Sequence, residues 1–117
     1  MSITRIDSSK RMSQVVIHGE TIYLAGQVAQ KAPGSDVAEQ TSAILEQIEV
    51  LLQKAGSNKN KILSATIWLT NMDDFQKMNA IWDAWVPDGE APCRACVESP
   101  KLASSSFNVE IAIIAAT

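Results

Sequence analysis

The spacing of apolar positions changes along the chain, and each change predicts an element. Residues 15–18 (VVIH) and 21–26 (TIYLAG) are short β-type runs on either side of Gly19-Glu20, a pair suited to a two-residue type II′ turn, so they read as a hairpin. The four residues ITRI ahead of it suggest a further short edge strand. From Asp36 the period becomes helical: Val37, Thr41, Ile44, Leu45, Ile48, Leu51, Leu52 and Ala55 recur at intervals of three and four. Asp36 with Glu39 three residues on resembles a capping box, and Gly56 stands where a helix ends in the left-handed conformation.

Residues 61–70 (KILSATIWLT) alternate as a strand. Leu63, Ala65, Ile67 and Leu69 form a purely apolar face expected under the helices, and Ile62, Ser64, Thr66, Trp68 and Thr70 form a mixed one. A second helix follows, with Asn71 or Asp73 near its N-cap, an apolar stripe of Phe75, Met78, Trp82 and Trp85, and Pro87 as its stop. Two strands, about 93–99 and 107–115, complete the chain. In the latter, Phe107, Val109, Ile111 and Ile113 oppose Asn108, Glu110, Ala112 and Ile114.

The order β-β-α-β-α-β-β over residues 1–117 predicts one two-layer α+β domain with both helices on one face of the sheet. The other face, carrying Ile62, Trp68 and Cys96 among serines and threonines, would stay open in a monomer. Self-association is the expected cover.

Composition narrows the function. The chain has 117 residues, 46% of them hydrophobic and 20% charged, which is that of an ordinary globular domain. Ten basic and thirteen acidic residues give a net charge of −3, which disfavours binding to nucleic acid through phosphates. The N-terminal residues lack a signal-peptide core and no run reaches the length of a membrane span, so a cytoplasmic protein with no membrane association is expected.

The segment PCRACVES, residues 92–99, holds both cysteines in a C-x-x-C spacing. Residues three apart on a strand lie about 10 Å apart and point to opposite faces, beyond the roughly 7 Å Cα separation that a disulfide bridges. With His18 the only histidine, a zinc site lacks ligands. Two independent thiols and no metal are expected. By the same alternation Arg94, Cys96 and Glu98 share one face and Cys93, Ala95 and Val97 the other, the second set being expected to face the helices. Arg94 then projects from the open face. It is either a subunit salt bridge to an acid such as Glu98 or Glu110, or a fork for an anionic ligand in an intersubunit cleft.

The segment PCRACVESPKLASSSFNVEIAIIAA resembles the C-terminal signature of the RidA/YjgF family, in which a proline and an arginine precede a CVE strand and a VEI strand follows. IYLAGQV, LLQKAGS and TIWLTNMDDFQKMNAIWDAW are similar to further family landmarks in the same order. The wording RMSQVVIHGETIYLAG and WDAWVPDG is similar to the YoaB-type subfamily rather than to archetypal RidA. The resemblance implies a chorismate-mutase-like fold with a mixed sheet, assembled as a homotrimer with sites between subunits. It also implies hydrolysis of reactive 2-imino acids, or their 2-aminoacrylate-type enamines, to 2-keto acids and ammonia without a cofactor.

Carried over by residue, the resemblance implies that Arg94 anchors the substrate carboxylate, the Cys96 backbone lines the imine carbon and Glu110 binds the water. Glu110 is expected on the mixed face of the strand neighbouring Arg94's. Asn79 interrupts the apolar stripe of the second helix where the family tends to place an asparagine near the site. Met12 stands for a tyrosine that borders the substrate in archetypal members, and Ala25 for a serine before the GQ pair. The loss of two polar contacts leaves a second function open, a carboxylate-binding sensor without turnover. Acid–base cleavage of RNA would require a catalytic pair that one histidine does not supply.

Overall fold

A computed structural model describes residues 1–117. Six strands and two helices run in the order β1 (Ile3–Ser8), β2 (Ser13–His18), β3 (Thr21–Leu24), α1 (Val37–Lys54), β4 (Ile62–Leu69), α2 (Phe75–Trp85), β5 (Cys93–Glu98) and β6 (Val109–Ala116). The sheet order is β1-β2-β3-β6-β4-β5. All neighbours are antiparallel except β4 and β5, so the sheet is mixed. The ITRI run is a full strand, extended to six residues by pairing along β2 from Ile3 opposite His18 to Ser8 opposite Ser13.

Local chemistry sets the helix ends. Asp36 Oδ1 accepts the Glu39 backbone N–H at 2.9 Å, satisfying one of the orphan donors of the first turn of α1. Gly56 adopts φ +80°, and the next amide, Ser57 N–H, folds back to Leu52 O at 2.8 Å. That reversal stops α1 where a side chain at the turn would be strained. Asn71 caps a short 3-10 turn, its Oδ1 accepting Asp73 N–H, and α2 continues from there to Val86, which is extended ahead of Pro87.

Both helices pack on one face of the sheet. One core cluster joins Ile44, Leu45, Ile48 and Leu52 of α1, Met78 and Trp82 of α2, and the inward residues of β2–β4 and β6. Val109, Ile111 and Ile113 lie in it as the alternation predicts. The start of β4 does not follow its alternation. A register shift between Ile62 and Ser64 reverses the first residues, so Ile62 is buried and Leu63 is 50% exposed.

The faces of β5 are the reverse of the expectation. Arg94 pairs with Ala65 and Cys96 with Ile67, and paired residues share a face, so Arg94, Cys96 and Glu98 lie on the helix side. Cys93, Ala95 and Val97 lie on the open side and are exposed. The open face is nonetheless apolar, with other residues than expected: Tyr23, Val97 and Ile114 are exposed there beside half-buried Trp68.

A buried polar cluster fixes the start of β6. Gln40, fully buried on α1, accepts the Asn108 backbone N–H and donates to Asn108 Oδ1, Ser106 O and Ser35 O. Every polar atom of its amide is thus used, and α1 holds β6 in place just before Glu110.

Candidate functional site

The sequence-predicted residues fall into two groups, one around Arg94, Cys96 and Asn79 on the helix side of the sheet and one around Glu110, which lies on the open side. The first gathers at β5 and α2. Arg94 leaves β5 toward α2, where its guanidinium carbon lies 5.4 Å from the Trp82 ring centroid and 5.9 Å from that of Phe75. Its nearest hydrogen-bonding contact is the Met78 sulfur, 4.0 Å from Nη1. No carboxylate pairs with it, because the only salt bridge joins Lys54 to Asp7 and the Glu98 carboxylate accepts the Met72 N–H instead. The salt bridge from Arg94 to Glu98 or Glu110 is therefore not made within the chain. A part-buried guanidinium keeps its in-plane donors without an anion to receive them.

Asn79 lies on α2 one turn from both Phe75 and Trp82, and its Oδ1 is buried with no hydrogen-bond partner. Cys96 packs against the edge of the core. Burial pushes its thiol pKa up, and the Arg94 charge only partly offsets the shift, so the thiol stays protonated and is a poor nucleophile. Its backbone is better placed. Ser99 N–H, just past β5, donates to Leu69 O at 2.8 Å. Amides alternate in direction along a strand, so those of Arg94, Cys96 and Glu98 point away from β4, to the free edge of the sheet. Cys93 and Cys96 are free thiols on opposite faces, as their spacing requires.

The second group surrounds Glu110. The register places Glu110 opposite Trp68 of β4, and β4 separates its strand from Arg94's, so the two strands are not neighbours. Glu110 is on the open face. Its carboxylate lies over Gly26, where an added Cβ would meet Glu110 Oε2, Cδ and Cγ, the last two at 3.1 and 3.4 Å. A side chain at this position would displace the carboxylate from the space it occupies. Burial raises the Glu110 pKa above its ordinary value, so the carboxyl holds a proton more readily than an exposed one would.

The segment Ala25-Gly26-Gln27 beneath the carboxylate is held by a glutamine ladder. Gln27 Nε2 donates to Gln14 Oε1 and to Ala25 O, and Gln47 Nε2 from α1 donates to Gln27 Oε1 and Val28 O. Met12 closes the β1–β2 turn, its carbonyl accepting Ser9 N–H at 2.7 Å and its side chain 43% exposed. A cavity of about 410 Å³ opens between this segment and α1, lined by Gln14, Gly26, Gln47 and Val50 among others. It is lined by neither Arg94, Cys96 nor Glu110, so this cavity is not the place where these groups meet.

Sequence reasoning singled out Arg94, Cys96, Glu110, Asn79, Met12 and Ala25 but missed the surroundings of two of them. Phe75 and Trp82 read as core stripe, and their helical spacing carries no sign of a cation between them. Gly26, in the AGQ run, was visible as a glycine in a strand-end segment, a position that often marks a close approach. No group of three or more His, Cys, Asp or Glu side chains is arranged to hold a metal ion. No helix is long and apolar enough to cross a membrane.

The family model described as endoribonuclease L-PSP matches residues 2–117, nearly the whole chain that forms this sheet, its helices and both groups. The chain belongs to the YjgF/RidA family. The RutC family protein YoaB of Escherichia coli K12 is 47% identical over 116 residues, covering 99% of each chain. A RutC family protein of Haemophilus influenzae is 46% identical over 115 residues, covering 98% of each. Among solved structures, a member of the YjgF protein family from Neisseria meningitidis superimposes with a TM-score of 0.96 at 41% identity, covering 100% of this chain and 96% of that one.

Proposed function

We propose that the protein hydrolyses 2-imino acids, or the enamines in equilibrium with them, to 2-keto acids and ammonia in clefts shared by two copies of the chain. The observation that carries this reading is the Arg94 guanidinium, part-buried at a free sheet edge with no acidic partner. A part-buried charge without a partner favours an anionic ligand, and a planar fork suits a carboxylate.

The chemistry requires little else. A protonated imine carbon is already electrophilic, so the site must hold the substrate, position a water and move protons. Arg94 binds the carboxylate, and the outward N–H and C=O of Cys96 line the neighbouring atoms. Glu110 accepts a proton from water as its oxygen bonds to the imine carbon, giving a carbinolamine. Glu110 passes that proton to nitrogen, the C–N bond breaks and ammonia leaves, and the hydroxyl proton returns to the Glu110 carboxylate as the carbonyl forms. Water supplies the oxygen of the keto acid, and nothing is oxidised or reduced. An enamine enters the same route after protonation at its outer carbon.

Arg94 and Glu110 point from opposite faces of one sheet, so a site using both draws them from different copies. The exposed Tyr23, Val97 and Ile114 favour the same assembly, since a second copy would cover them. A closed ring of three is the arrangement that the family resemblance implies.

A sensor that binds carboxylates without turnover is the second reading. It is favoured by Met12 and Ala25, which put a thioether and a methyl group where hydroxyls would help to hold substrate. RNA cleavage has less support, because the net charge is −3 and the single histidine, His18, is exposed on a hairpin.

The deciding experiment generates imino acids in situ with an amino-acid oxidase and traps what remains with semicarbazide. The enzyme reading predicts faster loss of imine on adding the protein. It also predicts that Arg94→Ala lowers catalytic efficiency by roughly two to four powers of ten, since charge-assisted hydrogen bonds contribute about 1.5–3 kcal/mol each. Arg94→Lys, which keeps the charge but loses the fork, should be nearly as damaging. Binding of a keto acid without any acceleration would establish the sensor reading instead.

A further inference from the structure

We propose that Trp82 and Phe75 are positioning residues that clamp the Arg94 guanidinium in place of a counter-ion, leaving its hydrogen-bonding edge open to a substrate carboxylate. The inference rests on the reading of Arg94 as the carboxylate anchor and adds how that anchor is held in place and left vacant.

Trp82 and Phe75 stand seven residues apart on α2, two helical turns along one stripe, and Arg94 lies across both, its guanidinium carbon 5.4 and 5.9 Å from the two ring centroids. Met78, between them on the helix, sets its sulfur 4.0 Å from Nη1. Trp82 is 4% exposed and Met78 fully buried, so this wall is fixed by the core rather than by solvent. A carboxylate neighbour would stabilise the cation by occupying the same N–H edge that a substrate needs. An aromatic ring acts on the cation through its face and requires none of those hydrogen bonds. The absence of any acidic partner and the presence of two rings are then parts of one device. The rings hold the charge in a poorly hydrated place, and the fork stays free for an incoming anion.

The test must separate electrostatics from packing. A series of tryptophans at position 82 bearing zero to four ring fluorines keeps the shape nearly constant while weakening the ring quadrupole. The probe is 2-ketobutyrate, read by equilibrium binding, alongside KM and kcat for imine hydrolysis. The expected result is a graded rise in Kd of about two- to fivefold across the series, with KM rising in parallel and kcat nearly unchanged. Melting temperature and oligomeric mass should stay constant. Phe75→Leu should weaken binding by a similar factor, and Trp82→Phe should retain more affinity than Trp82→Leu. A flat fluorine series in a protein whose binding is still abolished by Arg94→Ala overturns the clamp and leaves the anchor standing. Ketobutyrate binding unaffected by Arg94→Ala overturns the anchor itself, and the clamp with it.

Discussion

Arg94 and Glu110 project from opposite faces of the same sheet, with β4 between their strands. The register offsets them by three residues as well, since Arg94 lies opposite Ala65 and Glu110 opposite Trp68. Two strand spacings and that offset separate their Cα atoms by roughly 14 Å. No side-chain rotation within one chain brings a guanidinium on the helix side and a carboxylate on the open side to a single small substrate. A site that used both groups would therefore need two copies of the chain.

Assembly should depend on the open face. Val97 is 45% exposed there beside Trp68, and a charge buried at that position would be costly. Val97→Asp should therefore give a monomeric mass in light scattering at micromolar concentration where the parent gives an oligomer. A parent that is itself monomeric under those conditions rejects self-association.

Glu110 should leave a mark on both pH profiles. Burial raises its pKa above 4.5, so the acidic limb of the rate profile should lie above that pH. Glu110→Gln should slow turnover and remove the limb while leaving keto-acid binding largely intact. For stability the sign follows from the folded state holding this proton more tightly than the unfolded state. The contribution is complete below about 4.5, the unfolded value, and is lost as pH rises through the folded pKa. The melting temperature of Glu110→Gln relative to the parent should accordingly rise between pH 4 and pH 7. A difference that does not change with pH would show that burial does not perturb this carboxyl.

Gly26→Ala should separate the site from the fold. The new methyl group would displace the Glu110 carboxylate, because Cδ and Cγ lie 3.1 and 3.4 Å from the added atom and Oε2 is closer still. Activity should fall by at least about tenfold, with a stability loss of only about 1 kcal/mol in urea denaturation. Parent-like turnover in this variant would mean that the position of Glu110 over Gly26 is unimportant.

Much of this arrangement was legible in the sequence where one period served one purpose. The stripe from Val37 to Leu52 and the Asp36 and Gly56 signals describe α1 closely, because a helix buried on one side states its face in its own spacing. β5 was misread for an equally physical reason. Cys93, Ala95 and Val97 are its more apolar set, and apolarity indicates burial without saying whether the cover is the chain's own helices or a second copy. Here the helix side of β5 receives Arg94, whose stem and head are accepted by Phe75, Met78 and Trp82. The bulge at Ile62–Ser64 reversed Leu63 because a strict alternation carries no sign of a register shift. Motif resemblance points to Glu110 and Arg94 but not to their opposite faces, since the face that β5 turns to the helices is set by its register against β4, a long-range property.

Subunit complementation tests the shared site most directly. Arg94→Ala and Glu110→Ala, each prepared separately, should both be nearly inactive on imino acids. Unfolded together in equal amounts and refolded, they should form mixed rings in which some clefts receive an intact Arg94 from one copy and an intact Glu110 from the next. Random mixing predicts recovery of about a quarter of the parent activity per cleft. Mixed assemblies that form, as verified by mass, yet remain as inactive as either variant alone would contradict a site built from two copies.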